Sequence, residues 1–551
     1  MTGYAFNLLT QPLIHSAPSG PVTLPGLLAR LACDEVDAFP ALRPHQGPAW
    51  HMFLVQLAAL ALHGAGRANI PEREEDWLRL LRDLASGFSD DEPWCLVVDD
   101  WAKPAFLQPP VPNGLRLTSS ASTPDALDLL NTAKNHDLKQ AVGRRAEEQD
   151  WLFALVSLQT GGTFSKAGSA RNYWSAVRTG NIYAPRLLLG LAPLPSAGDT
   201  RMAPSPGAWF RRDVAALLET RDRQLESCAI EYSRSRGIGL TWLARWPEGE
   251  QLQLKELDIW FIEACRRVRL QRRDCALFSF MTGAARSRIN DLDLGGKLRD
   301  PWTPEHKTGR ALRLSDNGYH YTTLSKVLFG ERKKGADSHD WDLPVLLKPA
   351  PSEQGEGTML LVAQGIIGVR QKSGTQGFKS RALPIGGKVS HALTLGSRRE
   401  ALHRLAQDQM AEIGHFDRAL RKGLSLAAAG GNSEKVRTEK VRTDYYVLTK
   451  PARALFDRAV DDIFFEHLWA RFEAQDKGED ANKAEKESFA RALFARAEEA
   501  FEASLPAIPC PSIFRPRAEA RARLAFRGEL RGPFPELFKT VKAEETEHAA
   551  A

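Results

Sequence analysis

"AEKESFARALFARAEEAFEASL", residues 484–505, places Phe489, Leu493, Ala497, Phe501 and Leu505 at every fourth position. At 3.6 residues per turn this spacing gathers the apolar side chains into one stripe and leaves Lys, Arg and Glu on the rest of the surface. A helix of this kind is stable only when its stripe packs on other apolar faces. Three further segments offer such faces. "SRREALHRLAQDQMAEIGHFDRALRKGL" (397–424) opens with Ser397 and Glu400 in a capping-box pattern. "KPARALFDRAVDDIFFEHLWARFEAQ" (450–475) has Pro451 near its start, and "PRAEARARLAFRGEL" (516–530) is the fourth. No strand pattern separates them, so a four-helix bundle is expected over 391–540. Between the first two, "GGNSEKVRTEKVRTD" (430–444) carries a tandem five-residue repeat. Five is neither a helical nor a strand period, and the repeat reads as a mobile, charged linker. The tail, 541–551, reads as disordered.

Upstream the pattern changes. "FNLLTQPLI" (6–14) looks like a short strand pair. "TLPGLLARLACDE" (23–35), "PAWHMFLVQLAALALHGAG" (48–66) and "EEDWLRLLRDLAS" (74–86) read as helices. Strand-like "WCLVVDDW" (94–101) and a Pro-rich loop follow, and short strands, helices and long polar loops alternate up to about residue 390. The fold class is therefore α+β: a large irregular mixed domain over 1–390, followed by the bundle. A chain of 551 residues with 43% hydrophobic and 26% charged residues can form more than one such core.

The six cysteines, Cys33, Cys95, Cys228, Cys265, Cys275 and Cys510, include no CxxC pair. That argues against a disulfide framework and a cysteine zinc site, and for a reducing, cytoplasmic compartment. The N-terminus lacks the basic region and apolar stretch of a signal peptide. The apolar run "MFLVQLAALAL" (52–62) falls short of the roughly 20 residues of a membrane span, so no membrane partner is expected. The net charge of +6 is mild, and its distribution matters more than its sum.

"RRVRLQRR" concentrates Arg266, Arg267, Arg269, Arg272 and Arg273, and Arg286 and Arg288 follow. Such clusters neutralise phosphates and release counterions, so this one reads as a basic patch for nucleic acid, with a solvated face as the alternative. "FSKAGSARNYWSAVRTGN" (164–181) combines small residues, Lys166, Arg171, Arg178, Tyr173 and Trp174 and has no acid, which suits phosphate and bases or a solvated turn. "VRQKSGTQGFKSR" (369–381) offers amides and cations on a flexible turn, able to read base edges or enter a duplex, or simply to rim a hairpin. "NTAKNHDLKQAVGRR" (131–145) holds His136 beside Asp137 without the further ligands that a metal phosphohydrolase needs. "DSHDWD" (Asp337, His339, Asp340, Asp342) is a second possible metal cluster, or a solvated loop. No GxxxxGK[ST], HExxH or GxSxG motif is present.

In their order and spacing, "FNLLTQPLI…TLPGLLARL", "TAKNHDLKQ", "LVSLQTGGTFSKAGSARNYWSAVRTGN…APRLLLGLAP", "FIEACRRVRL", "DPWTPEHKTGRALRLSDNGYHY" and "GVRQKSGTQGFKSRALPI" resemble the CasA family, the large subunit of the type I-E CRISPR surveillance complex Cascade. The resemblance spans nearly the whole chain. It implies a non-catalytic, cofactor-free subunit that binds the crRNA 5′ handle and recognises the protospacer-adjacent motif (PAM) in double-stranded target DNA. It also implies help in opening the duplex, and the other Cascade subunits and the helicase–nuclease as partners.

By the same resemblance, the minor-groove loop falls on 164–173, with Ser165, Lys166, Ala167, Gly168, Ser169, Arg171 and Asn172 as its DNA-binding residues. The lysine finger falls on Lys297, with Arg299 as fallback. The duplex wedge falls on 371–376, through Gln371, Lys372, Thr375 and Gln376. The crRNA loop falls on 134–139, through Lys134, Asn135, His136 and Lys139. Some relatives carry CxxC pairs in the middle region; this chain has none, so no zinc is expected. Two other functions remain as alternatives: a metal-dependent nuclease using His136 and Asp137 or the Asp337–Asp342 cluster, and a structural RNA-binding scaffold.

Overall fold

The computed structural model describes residues 3–129, 146–162, 165–166, 173–174, 178, 185–195, 203–228, 230–274, 276–289, 298–308, 312–330, 340–353, 357–368, 375–437 and 439–538. The chain packs into two compact units, 1–319 with 326–391, and 320–325 with 392–551.

The first unit opens with β1 (Tyr4–Asn7), β2 (Ile14–Ser16) and β3 (Gly20–Val22). β2 pairs with β3, whereas β1 pairs with the later β4 (Cys95–Val98), Tyr4 lying opposite Val98. The strand pair expected within 6–14 is thus divided between two ribbons. Helix α1 (Leu24–Ala32) starts where Thr23 Oγ1 accepts from the Gly26 N–H at 2.9 Å. Helix α2 (Gly47–Gly64) is buried at every position from Met52 to Leu62, an apolar run broken only by Gln56. Helix α3 (Glu74–Leu84) turns Trp77, Leu80 and Leu81 inward.

Next come β5 (Ser119–Ala121), α4 (Glu148–Gly161), the small hairpin of β6 (Ser165–Lys166) and β7 (Tyr173–Trp174), β8 (Leu188–Pro193) and α5 (Pro206–Ser227). β9 (Ile238–Leu240) runs parallel to β10 (Leu257–Ile262). β11 (Arg267–Arg273) and β12 (Ala276–Thr282) join β5 in the order β11-β12-β5. β13 (Glu305–His306) pairs with β14 (Trp341–Asp342). Finally β15 (Met359–Gly368) and β16 (Thr375–Ile385) form a long hairpin whose free edge takes β8, in the order β16-β15-β8. One apolar core runs through these small sheets and helices, with Trp50, Trp77, Trp151, Trp242, Trp260 and Trp302 all buried in it.

The second unit is helical. Helix α6 (Tyr321–Phe329) contributes its first turn: Tyr321 stacks on Phe464 at 4.6 Å and its N–H donates to Asp461 Oδ1 at 2.6 Å. After α7 (Gly387–Ala392) come α8 (Gly396–Ala428), α9 (Ser433–Arg437), α10 (Glu439–Leu448), α11 (Lys450–Ala474), α12 (Glu479–Ser504) and α13 (Arg515–Arg531). The stripe Phe489, Leu493, Ala497, Phe501 and Leu505 is buried throughout. Phe501 stacks on Phe526 of α13 at 4.8 Å.

Two expectations are corrected here. Helix α8 already begins at Gly396, so Ser397 occupies its second position and the capping box with Glu400 does not form. The 433–444 repeat is helical in α9 and α10 rather than a linker. Glu, Lys and Arg are good helix formers, and a five-residue repeat sets no burial pattern that would oppose them. The tail 541–551 lies outside the described residues. No helix among the described residues is long and apolar enough to cross a membrane.

Candidate nucleic-acid interface

The β16-β15-β8 sheet carries one of the expected contact loops, and the chain that follows the other enters it as β8. β15 and β16 pair from Met359 opposite Ile385 to Ile367 opposite Gly377, then shift register to close at Gly368 opposite Thr375. Residues 369–374, which connect the two strands at this end, lie outside the described residues. β8 runs antiparallel along the other edge of β15, with Leu188 opposite Gln364 and Pro193 opposite Met359. The start of β8 is therefore the end of that strand nearer to this connection. The segment entering β8 is the one that carries the β6–β7 hairpin, in which Ser165 faces Trp174 and Lys166 faces Tyr173. Both expected DNA loops are thus closed by antiparallel ladders, a geometry that fixes where each tip begins and ends. The tips, Ala167, Gly168, Ser169, Arg171 and Asn172 on one and Gln371 and Lys372 on the other, lie outside the described residues. Ser165, Lys166 and Thr375 supply backbone pairs at their bases, and Gln376 is passed over where the register shifts.

A buried ionic node anchors the first of these segments. Asp300 Oδ2 lies 2.7 Å from Arg186 Nη2 and 3.3 Å from Arg178 Nη1. Its Oδ1 accepts from the Trp302 N–H at 3.1 Å and the Thr303 N–H at 3.0 Å. Arg178 also donates to the Phe261 and Ile259 carbonyls of β10, and its guanidinium lies 3.9 Å over the Phe261 ring. Arg186 donates to Gln56 Oε1 of α2 at 3.1 Å, and Gln56 in turn donates to the Trp260 and Phe261 carbonyls. Burial acts to raise the Asp300 carboxyl. Arg186, Arg178 and the Trp302 N–H outweigh it and hold the group below the usual carboxylate range. Arg178, one of the cations that the sequence placed on the exposed loop, is instead an internal anchor.

The basic patch is corrected more sharply. Arg266, Arg267 and Arg269 are buried, and Arg269 is wholly inaccessible. Arg267 pairs with Glu248, donates to the Trp246 and Pro247 carbonyls and lies over the Trp246 ring. Arg269 donates to the Lys103, Gln108 and Val98 carbonyls at 2.9, 3.3 and 3.1 Å. Arg266 donates to its neighbour's carbonyl at Cys265. Arg288 donates to the Arg245, Thr241 and Ala244 carbonyls. Irregular loops leave main-chain carbonyls without ladder partners, and the five-donor guanidinium satisfies several at once. Burial lowers Arg269 to about 10 and Arg288 to about 9, which leaves both charged at neutral pH. Of the patch, Arg272 and Arg273 are exposed, the latter 4.7 Å over Phe280.

Lys297 lies outside the described residues. The fallback Arg299 donates to the Ser227 carbonyl and pairs with Asp342 at 3.5 Å, so it is held against its own protein. Lys134, Asn135, His136, Asp137 and Lys139 lie outside the described residues, as do Asp337 and His339. The Asp340 carbonyl accepts from the Lys307 N–H, and Asp342 is the partner of Arg299. Among the described residues no group of three or more His, Cys, Asp or Glu is placed to hold a metal. Sequence reasoning missed Asp300 and the buried amides Gln56, Gln108 and Gln159. Their signal was legible in part: Gln56 interrupts the apolar run 52–62. Each answers main-chain groups across the core, as with Gln159, which donates to the Leu107 and Arg266 carbonyls and accepts from Arg266 N.

No family model matches the chain, and no curated protein matches it. Solved structures do. CasA (Cse1) of Thermus thermophilus matches at 15% identity and a TM-score of 0.58, over 96% of this chain and 99% of that one. Cse1 of Acidimicrobium ferrooxidans matches at 15% identity and a TM-score of 0.62, over 96% and 98%. Thermobifida fusca Cse1 matches at 13% identity and a TM-score of 0.60, over 97% and 99%. The chain therefore has the CasA/Cse1 fold, a mixed α+β region followed by a helical one, over nearly its whole length.

Proposed function

We propose that this chain belongs to the CasA family and serves as the non-catalytic large subunit of a type I-E CRISPR Cascade. The observation that carries the proposal is a fold shared end to end with CasA/Cse1 structures. The sheet register agrees with it, because the chain that follows the 164–173 loop enters the sheet at Leu188 opposite Gln364, in the half of β15 that leads to the 371–376 loop. In this reading the first loop lies in the minor groove beside the target, where small residues let backbone approach a degenerate pattern read by shape and the guanine amino group. Lys297 adds a cation to that contact. Gln371 and Gln376 wedge the first base step open, an act that costs a few kcal/mol of unstacking. Guide pairing reads the rest of the target, and the protein reads the PAM. Lys134–Lys139 contacts the crRNA 5′ handle, and the chain recruits the helicase–nuclease.

The test uses the complex assembled with crRNA and the other Cascade subunits. Its affinity is measured on duplexes that differ only in the bases flanking the target. A preference among flanks that is lost with Lys297→Ala supports the reading. Equal affinity for every flank supports the structural scaffold instead, and cleavage of duplex by the isolated chain with Mg²⁺ or Mn²⁺ supports a nuclease.

A further inference from the structure

The Asp300 node joins two stretches of chain that the proposed function uses separately. On one side stands the loop-bearing segment, held by Arg178 and Arg186. On the other stands the turn that follows Lys297 and Leu298 and continues through Trp302 and Thr303. The two carboxylate oxygens divide the work. Oδ1 shapes the turn through two N–H groups; Oδ2 faces both guanidiniums. Glu263 Oε2 accepts from Arg178 N at 3.3 Å, so two acids and two arginines meet here in a dry setting. Hydrogen bonds to β10 and to Gln56 fix each arginine to the core, and Asp300 fixes both to the turn.

We infer that Asp300 is a positioning residue: its charge holds the loop-bearing segment in register with the turn after Lys297, so that groove loop and lysine finger meet the same base pairs. The inference rests on the proposed function above and deepens it. A residue that merely filled the core would affect all duplexes alike. One that sets the spacing of two contacts affects only the duplex that needs both.

The test compares complexes assembled from wild-type chain and from Asp300→Asn. Asparagine keeps an oxygen for the Trp302 and Thr303 N–H groups but presents an amide to the two arginines. On flank-varied duplexes, the ratio of affinities between preferred and unpreferred flanks should fall about tenfold, the scale of one lost groove contact. Binding to the unpreferred flank should change little. Arg178→Lys, which keeps a cation beside Asp300 but loses the bonds to the Ile259 and Phe261 carbonyls, should give a smaller fall and serves if the first variant does not assemble. Wild-type discrimination in an assembled variant, or an equal loss on every duplex, overturns the inference. So does failure of both variants to assemble, which assigns the node to folding alone. If the wild-type complex shows no flank preference, the functional reading itself has failed, and that is visible before any variant is made.

Discussion

Gly365 of β15 approaches Leu187 so closely that a Cβ at this position would lie 2.3 Å from Leu187 Cδ2. The same atom would lie 2.9 Å from the Tyr319 hydroxyl and 3.1 Å from a Leu314 methyl. All three neighbours are buried, so none has free space to give. Leu187 leads directly into β8, and this contact presses the entry of the loop-bearing segment onto the sheet.

Gly365→Val should therefore destabilise the chain by about 1–3 kcal/mol through overpacking, read as a lower urea midpoint at unchanged slope. An unchanged midpoint would mean that Leu187 and Leu314 can move aside.

Arg269→Ala removes a donor from the Val98, Lys103 and Gln108 carbonyls, of which Gln108 O keeps the Ala105 N–H; a buried acceptor left unpaired costs about 1–3 kcal/mol. The urea midpoint should fall substantially. The slope of log affinity against log salt for the assembled complex should not change, because a buried guanidinium neutralises no phosphate. A salt slope reduced by about 1 with stability intact would restore Arg269 to the nucleic-acid surface.

The contrast between this arginine and the bundle stripe defines what the sequence could disclose. Phe489, Leu493, Ala497, Phe501 and Leu505 were readable because periodicity and burial are the same information in a helix. Arg266, Arg267 and Arg269 were not, because a charge run does not say whether distant loops have carbonyls in need of donors. The hairpins at Ser165–Trp174 and Met359–Ile385 were readable as turns, but the pairing of β8 with β15, far apart in sequence, is encoded by no local pattern. The Ser397 cap failed by two residues, the N-cap being Leu395, which is the usual scale of helix-end error.

Phe501 is buried against Phe526, and a Cβ on Gly423 would come 2.7 Å from the Phe501 ring. Phe501→Ala should cost roughly 3–5 kcal/mol in urea unfolding. A loss below about 1 kcal/mol would show that the helices around it collapse without strain.

Burial pushes Glu305 up to about 7 from its ordinary value of 4.5, against the lowering effects of Arg299 and the Arg299 and Asp300 N–H groups. A raised carboxyl binds its proton more tightly folded than unfolded. Its contribution is therefore complete below about pH 4.5 and is lost as pH rises through about 7, a change of order 3 kcal/mol. Glu305→Gln keeps an acceptor for the Arg299 N–H and removes the titration. The variant should be more stable than wild type at pH 8, with the advantage shrinking towards pH 5. Parallel stability curves over that range would contradict the assignment.

R-loop formation on PAM-flanked duplexes, followed with the wild-type complex, with Lys297→Ala and with Gln371→Ala plus Gln376→Ala, separates PAM binding from duplex opening. The account predicts that the lysine variant binds weakly and loses flank preference, whereas the glutamine variant binds nearly normally but opens the duplex slowly. Mismatching the base pairs beside the PAM should rescue the glutamine variant, whose unpairing is then already done, and should leave the lysine variant without flank preference. Equal loss of binding in both variants, with no response to the mismatch, would contradict it.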